Sequence, residues 1–274
     1  PNNIKFYYNL IRLSPDYLNS SQINFIHKII KEDKIPNKDL FIANFILSKN
    51  YEKKKDYSNE IKFLKIFHQN FLKYNINKKS KEYWLKIIPN YYKSFIFKRS
   101  SKKIFKNTYP IFIIGLPRSG STITELILST SRTKKFNLGE SSLINQILIN
   151  NYGDKLFNNF KNDKVEIDLE LIEQKISLGL KNFNVFKFDK NIIIDKSLEN
   201  FFYFDLIIEI FPNAKFILTE RNFNENIIGI YKKILLDNTW SHSIHNIIEY
   251  IDNYIKIINF FEKKYHSRLF KIKL

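Results

Sequence analysis

The segment from Gly115 to Thr122 constrains the fold more strongly than any other part of the chain. A continuous apolar run, Ile-Phe-Ile-Ile, follows Pro110 and ends at the first glycine of this segment, which is the pattern of a strand buried in a parallel sheet. The glycine-rich stretch Gly-Leu-Pro-Arg-Ser-Gly-Ser-Thr comes next, and a helical pattern over 121–129 follows it. Strand, loop and helix in this order predict a βα unit whose loop lies at the carboxyl edge of a sheet.

Two later segments repeat the pattern of a buried strand that ends in charged residues. They are residues 191–196, which end in Lys196, and residues 215–221, which end in Arg221, and the stretch over 200–210 between them has a helical pattern. This alternation predicts an α/β fold with a P-loop-like parallel sheet flanked by helices. Because parallel strands end at the same edge of a sheet, we expect the glycine-rich loop, Lys196 and Arg221 to converge there.

The N-terminal part of the chain has the pattern of a helical domain. Apolar residues recur at helical spacing over 39–54 and 57–74, which predicts two amphipathic, antiparallel helices. Small and aromatic residues in this pair loosely resemble one tetratricopeptide unit. We expect further helices before residue 34 and over 81–96.

A polar, basic stretch over 98–107 marks the edge between two domains. We therefore predict a small helical, tetratricopeptide-like domain over 1–106 and an α/β domain over 107–274. The last residues, Leu-Phe-Lys-Ile-Lys-Leu, resemble a strand cut short, so the second domain is expected to be incomplete at its C-terminal end.

The composition excludes several kinds of chemistry. The chain has no cysteine, which rules out disulfides, thiolate metal sites and a thiol nucleophile. The five histidines show no metal-ligand spacing, so we expect no metal, and we assign no chemistry to His242, His245 and His266. No apolar run approaches the roughly 20 residues that span a bilayer, and no leader pattern opens the chain. The expectation is a cytoplasmic protein without a membrane span.

The formal net charge of +18 raises the possibility of a nucleic-acid partner. The lysines are scattered through every segment together with Asn and Ile, whereas a nucleic-acid surface needs them clustered on one face. We therefore do not expect nucleic acid as a partner. The positive charge would still favour the approach of a polyanionic nucleotide.

The glycine-rich loop has the features of an anion site. Its two glycines, Gly115 and Gly120, stand five residues apart before a helix start, so successive N–H groups and the helix dipole can face an anion. In nucleoside-triphosphatase loops a lysine follows the second glycine, but here Ser121 holds that place and Arg118 supplies a cation inside the loop. A tight turn without a ligand is the alternative, although an arginine, two hydroxyls and a helix N-terminus exceed what a turn requires.

These residues resemble the 5′-phosphosulfate loop of the bacterial sulfotransferases with tetratricopeptide-type N-termini, relatives of the tyrosylprotein sulfotransferases, in which the loop reads Pro-Arg-Ser-Gly-Thr-Thr. The similarity continues in order through three further places. It implies 3′-phosphoadenosine 5′-phosphosulfate (PAPS) as the donor and an acceptor hydroxyl on a peptide, glycan, lipid or small molecule. The donor-binding residues that it implies are Pro117, Arg118, Ser119, Gly120, Ser121, Thr122, Arg221 and Gly229.

The first two further places supply the expected catalytic residues. Leu-Gly-Glu, ending at Glu140, is similar to the family's Gly-Glu element, which implies a general base; on the residues alone, an exposed glutamate at a helix start is the alternative. The segment 195–200 is similar to the family's Asp-Lys-x-Pro-x-Asn element, with Leu198 in place of the proline. The resemblance implies that Lys196 and Arg118 neutralise the charge that grows on the bridging oxygen.

The third place is the donor's 3′-phosphate element, in which an arginine is followed eight residues later by a serine. Arg221 matches the arginine, but Gly229 stands where the serine is expected. The missing hydroxyl would cost on the order of 1 to 3 kcal/mol of donor binding. A neighbouring side chain such as Asn226 is a candidate replacement.

Two other functions remain open on the sequence. A P-loop-type nucleotide kinase or triphosphatase would use the same loop, and the serine after Gly120 counts against it. A helical-repeat interaction protein with an inactive sulfotransferase-like domain is the second, and Gly229 keeps it in view. The sequence does not choose among acceptors or oligomeric states.

Overall fold

The structure is a computed structural model that describes residues 3–75, 77–99, 105–130, 135–158, 164–182 and 191–274. Contacts divide the chain into two compact units. One combines residues 1–78 with 234–243, and the other combines residues 79–233 with 244–274. Part of the predicted domain edge, residues 100–104, lies outside the described residues.

The first unit is helical. Its elements are α1 (Ile4–Leu13), α2 (Ser20–Lys31), α3 (Leu40–Lys53) and α4 (Tyr57–Asn75), with 3₁₀ turns at Pro15–Tyr17, Asn37–Asp39 and Thr239–His242. The two helices predicted over 39–54 and 57–74 are confirmed as α3 and α4, and both helices before residue 34 are present. Helix α2 starts with a capping box, in which Asn19 and Gln22 satisfy each other's backbone N–H groups.

A pair of buried histidines joins the segment 234–243 to this helical unit. His68 Nδ1 lies 3.0 Å from His242 Nδ1, and the His242 ring stacks on Phe71 with centroids 3.9 Å apart. His242 Nε2 lies 3.3 Å from the carbonyl oxygen of Leu235. Burial lowers the pKa of His242 to about 4, because a charged imidazolium is poorly solvated there. His242 is therefore neutral at physiological pH.

The second unit is the α/β domain. In chain order its elements are α5 (Lys78–Glu82), a π-helical turn (Tyr83–Ile87), α6 (Ile88–Tyr91), β1 (Phe95–Lys98), β2 (Thr108–Gly115), α7 (Ser121–Ser129), β3 (Phe136–Gly139), α8 (Leu143–Asn158), β4 (Val165–Asp168), α9 (Leu169–Lys181), β5 (Asn191–Asp195), a 3₁₀ helix (Leu198–Tyr203), α10 (Phe204–Ile210), β6 (Lys215–Glu220), α11 (Phe223–Lys233), α12 (Ile244–Tyr265), a 3₁₀ turn (His266–Arg268) and β7 (Leu269–Lys273).

Within the described residues, five strands form a parallel sheet in the order β3-β5-β2-β6-β7. The predicted fold class is confirmed: a parallel sheet flanked by helices, preceded in the sequence by a helical region. Strand β2 lies at the centre, and Phe112, Ile113 and Ile114 are at most 3% exposed. Burial of each such side chain contributes roughly 1.5 to 3 kcal/mol to stability. Rings from α10 and β6 stack in the same core, with Phe204 and Phe216 at 3.7 Å between centroids.

Two features of this unit differ from the prediction. Strands β1 and β4 form a separate two-stranded parallel sheet that was not predicted. The helical stretch predicted over 81–96 contains α5, the π-helical turn and α6 in direct succession, and β1 takes its last residues. Pro89 lies at the start of α6 and has no N–H to donate, which fits the change of hydrogen-bond pattern at the preceding π-helical turn. In the described ranges, no helix is long and apolar enough to cross a membrane.

Candidate active site

The predicted site residues lie in a row that follows the order of the strands. Glu140 follows β3, Lys196 follows β5, the loop 115–122 follows β2, and Arg221 follows β6. Since the sheet order is β3-β5-β2-β6, the loop lies between Lys196 on one side and Arg221 on the other. The structure therefore brings all four segments to one edge of the sheet.

Close packing against β6 fixes the backbone of the loop. A Cβ atom at Gly115, where φ is +147°, would lie 2.7 Å from the carbonyl oxygen of Thr219, so a side chain cannot be accommodated. The buried Ser119 hydroxyl donates to the carbonyl oxygen of Leu116 at 2.7 Å and lies 2.6 Å from Thr219 Oγ1. Ser119 was predicted to bind the donor, but in this structure its side chain ties the loop to the neighbouring strand.

The remaining loop residues lead into the first turn of α7. Gly120 has φ +92°, and a Cβ atom there would lie 2.0 Å from Leu274 Cδ1. The N–H groups of Ser121 and Thr122 belong to the first turn of α7, where helix geometry gives them no acceptor within the helix. Arg118 is exposed and has φ +71°, an uncommon conformation for a residue with a side chain. An exposed arginine thus stands three residues before the N–H groups that begin α7.

Lys196 is the centre of a cluster of polar side chains. Its side chain is only 8% exposed, and its Nζ atom lies 3.0 Å from Glu140 Oε1, 3.1 Å from Glu125 Oε2 and 3.4 Å from Thr122 Oγ1. Burial would lower the pKa of Lys196, but the hydrogen bonds and charges of the two glutamates outweigh it and raise the pKa above its ordinary value. The ammonium is therefore charged at neutral pH.

Hydrogen bonds from Asp195 hold the turn that carries Lys196. The buried Asp195 carboxylate accepts from the Ser197 N–H at 2.8 Å, from Asn200 Nδ2 at 3.1 Å and from Ser141 Oγ at 2.9 Å. Burial raises the pKa of Asp195 even though these bonds act in the opposite direction. Leu198, which replaces the expected proline, starts the 3₁₀ helix after this turn. The turn keeps its shape through the aspartate and asparagine instead of a proline ring.

Glu140 and Arg221 are the exposed members of the row. The Glu140 side chain is 72% exposed and contacts Lys196. The Arg221 side chain is 47% exposed and pairs through Nε with Glu225 Oε2, one turn along α11. Arg221 also lines a cavity of about 590 Å³ beside the loop. Both residues are accessible to ligands at the sheet edge.

The start of α11 packs against the loop through Asn226 and Gly229. Asn226 is buried and donates from Nδ2 to the carbonyl oxygen of Pro117 at 2.9 Å, whereas its Oδ1 atom has no partner within the described residues. Gly229 lies against the side chain of Arg118. The unpaired Oδ1 atom of Asn226 is a hydrogen-bond acceptor, and a phosphate oxygen would repel it. In this orientation Asn226 therefore does not replace the hydroxyl that Gly229 lacks.

The sequence did not indicate the roles that two residues, Glu125 and Asn226, have in this site. Glu125 lies one turn into α7, and its contact with Lys196 depends on the pairing of β5 beside β2, which a helical pattern does not reveal. Asn226 was considered only as a phosphate ligand. A single signal pointed to Glu125: it is the acidic residue nearest to the loop on an otherwise uncharged helix.

The comparisons with known proteins agree with this geometry. A protein of Aquifex aeolicus (strain VF5) without an assigned function is 27% identical to the chain over 219 residues, which are 77% of the chain. The matched region covers 28% of that relative's length. The sulfotransferase family matches residues 110–272, a range that contains the whole row from the loop to Arg221. The chain therefore belongs to the sulfotransferase family.

Proposed function

We propose that this chain transfers a sulfuryl group from PAPS to an acceptor hydroxyl. The observation that supports the proposal is the order of the groups along the sheet edge: Glu140, Lys196, the loop 115–122 and Arg221. A donor with phosphates on the 5′ and 3′ oxygens of its ribose would span the loop and Arg221. Its reactive end would then lie beside Lys196.

The loop and its neighbours would hold the donor. The first-turn N–H groups of α7 and the Arg118 guanidinium would bind the 5′-phosphosulfate, with the hydroxyls of Ser121 and Thr122 beside it. Arg221 would form a charge-assisted pair with the 3′-phosphate after leaving Glu225. Pro117, Ser119 and Gly120 would shape the loop, and Gly229 would lie at its edge.

Lys196 and Glu140 would carry the chemistry. The acceptor oxygen attacks sulfur, a new O–S bond forms, and the S–O bond to the 5′-phosphate breaks. Glu140 takes the acceptor's proton, and the exposure of its side chain leaves room for an acceptor on that side. Lys196 and Arg118 stabilise the negative charge on the departing phosphate oxygen. The product nucleotide is 3′-phosphoadenosine 5′-phosphate (PAP).

Four finer statements belong to the same proposal. The N-terminal helices would form a tetratricopeptide-like domain, with a domain boundary near residues 106 and 107. The relationship to the tyrosylprotein sulfotransferases would include the general base that activates the acceptor, Glu140. The acceptor would be a hydroxyl on a peptide, glycan, lipid or small molecule, and the chain would act in the cytoplasm.

A transfer assay tests the proposal. The chain would be incubated with sulfur-labelled PAPS and pooled peptide, glycan and lipid hydroxyls, and label in each pool would be counted. Label in one pool, absent when the donor is replaced by adenosine 5′-phosphosulfate, supports the proposal. Hydrolysis of ATP without sulfuryl transfer would favour the nucleotide-kinase or triphosphatase alternative. Absence of PAP binding and of transfer would favour the inactive interaction domain.

A further inference from the structure

Each N–H group of the Lys196 ammonium has an oxygen partner among the residues that the structure describes. The ammonium carries three N–H groups, and three oxygens surround it, from Glu140, Glu125 and Thr122 at 3.0, 3.1 and 3.4 Å. The bridging oxygen of a sulfuryl donor would be a fourth acceptor. One of the present partners must therefore leave Lys196 when it engages the donor.

The two carboxylates differ in how easily they can leave. The Glu140 side chain is 72% exposed, so water can replace the ammonium at low cost. The Glu125 side chain is 14% exposed on α7, and a carboxylate left without its partner there would be penalised by poor solvation. Thr122, at 3.4 Å, is the longest contact and carries no charge, so the two carboxylates hold the ammonium by charge. Of these two, Glu140 is the partner that gives way.

We infer that Glu125 is the positioning residue that holds Lys196 in place for the reaction, and that the donor displaces Glu140 from Lys196 and so frees Glu140 to take the acceptor's proton. This inference rests on the proposed function. A carboxylate that no longer pairs with the ammonium can accept the hydrogen bond of an acceptor hydroxyl. Donor binding would therefore free the base that the second substrate needs, and it would precede productive acceptor binding.

The charged groups around Lys196 fit this division of roles. Glu125 faces it from α7 and Glu140 faces it from the end of β3. The neighbouring Asp195 is turned away, since its oxygens accept from three other groups. The backbone N–H of Lys196 donates to the carbonyl oxygen of Gly139 at 2.9 Å. The residue is thus anchored on both sides while one carboxylate remains replaceable.

Three variants separate this role from a structural ion pair. Glu125→Gln removes the charge and keeps the shape, and Glu125→Asp keeps the charge. Glu166→Gln is the matched control, because Glu166 forms an exposed ion pair with Lys98 on the two-stranded sheet. We expect Glu125→Gln to lower kcat about 10- to 100-fold with PAP affinity within about threefold.

The alkaline limb of the pH profile of Glu125→Gln should also move to lower pH. Glu125→Asp should restore most of the kcat and most of the wild-type pH profile. Glu166→Gln should change neither kcat nor the pH profile.

A measurement on the ligand-free chain tests the contact between Glu125 and Lys196 without assuming the proposed function. Acetylation of Lys196 by acetic anhydride, followed by mass spectrometry across pH, reports the fraction of neutral amine. Glu125→Gln should raise the labelling rate at pH 9 about 3- to 10-fold, and Glu140→Gln should raise it less, because water screens the exposed Glu140 contact more strongly. Circular dichroism melts would identify variants that do not fold. If Glu125→Gln does not fold, the labelling rate of Glu125→Asp is compared with that of the wild type instead.

The outcomes are distinguishable. A wild-type chain that neither binds PAP nor transfers sulfate would overturn the proposed function, and the role of Glu125 in it would fall as well. A wild-type chain that transfers sulfate, together with a Glu125→Gln variant of unchanged pH profile and unchanged Lys196 labelling, would overturn the positioning role alone.

Discussion

Gly229 lies directly beneath the side chain of Arg118. A Cβ atom built on Gly229 would be 3.1 Å from Arg118 Cβ and 3.2 Å from its Cγ, closer than most carbon contacts in proteins. The glycine in α11 thus provides the space that the loop arginine occupies. A serine at this position adds a hydroxyl, but it also requires Arg118 to move by a few tenths of an ångström.

This contact sets the design of the first prediction, which compares Gly229→Ser with Gly229→Ala. Both variants displace Arg118 equally, so their difference isolates the hydroxyl. If the segment 221–229 faces the 3′-phosphate, calorimetry should show PAP binding about tenfold tighter to the serine variant than to the alanine variant, because a hydrogen bond to a charged group contributes roughly 1.5 to 3 kcal/mol. Equal affinities would mean that this segment lies elsewhere relative to the donor.

Nucleotide selectivity is the second prediction. At about 100 times its dissociation constant, PAP should stabilise the folded chain by roughly 2.7 kcal/mol, whereas ATP and AMP should do so much less. A thermal melt with each nucleotide measures this difference. The matched variant Arg221→Ala should lose the preference for PAP over AMP and keep the response to AMP. Identical shifts with all three nucleotides in the wild type would contradict the assignment.

Arg118→Ala and Glu140→Gln should separate binding from chemistry. Removal of the loop guanidinium should lower both donor affinity and turnover. Glu140→Gln should leave PAP affinity unchanged or slightly improved, since a carboxylate near a phosphate is repelled. It should reduce transfer by about 10²- to 10⁴-fold, the range for loss of a general base. Single-turnover assays at saturating donor measure this, and wild-type rates in Glu140→Gln would move the search for the base to another residue.

The buried pair of His68 and His242 predicts acid sensitivity. In the unfolded chain His242 titrates near its ordinary pKa of 6.5, and in the folded chain its pKa is about 4. Its contribution to stability is complete above pH 6.5 and is lost as the pH falls toward 4, because the unfolded state binds the proton first. The loss should approach about 3 kcal/mol.

Urea unfolding at several pH values tests this acid sensitivity. The wild type should lose stability between pH 6.5 and 4, and His242→Phe should lose less. The exposed His245 provides the control, because His245→Phe should follow the wild type. A His242→Phe variant with the wild-type pH dependence would rule out this histidine as the cause.

The sequence predicts the parts of the fold whose pattern is long or fully apolar. Strands β2, β5 and β6 are continuous apolar runs, and α12 shows a buried stripe at helical spacing over 22 residues. Strand β3 has four residues, and only Leu138 among them is buried, so no local pattern marks it. Strands β1 and β4 form a small separate sheet of four residues each. Their pairing depends on contacts distant in sequence.

The contacts of the site also divide into those that the sequence predicts and those that it does not. The convergence of the loop, Lys196 and Arg221 is predictable because parallel strands share an edge. The contact between Glu125 and Lys196 requires the order of the strands and the rotation of α7 about its axis, and a helix of nine residues does not fix that rotation in its sequence. The use of Ser119 inside the loop was likewise invisible, since its hydroxyl partner Thr219 is 100 residues away.

The close approach of the loop to β6 has a consequence for the evolution of this segment. Gly115 and Ser119 serve the packing against Thr219, whereas Arg118, Ser121 and Thr122 face outward or lie at the helix start. A saturation library scored separately for cellular abundance and for sulfate transfer would divide the loop accordingly. Substitutions at the first two positions would deplete both scores, and substitutions at the other three would deplete transfer while abundance is maintained. A single short motif would thus carry two independent selective pressures on different residues.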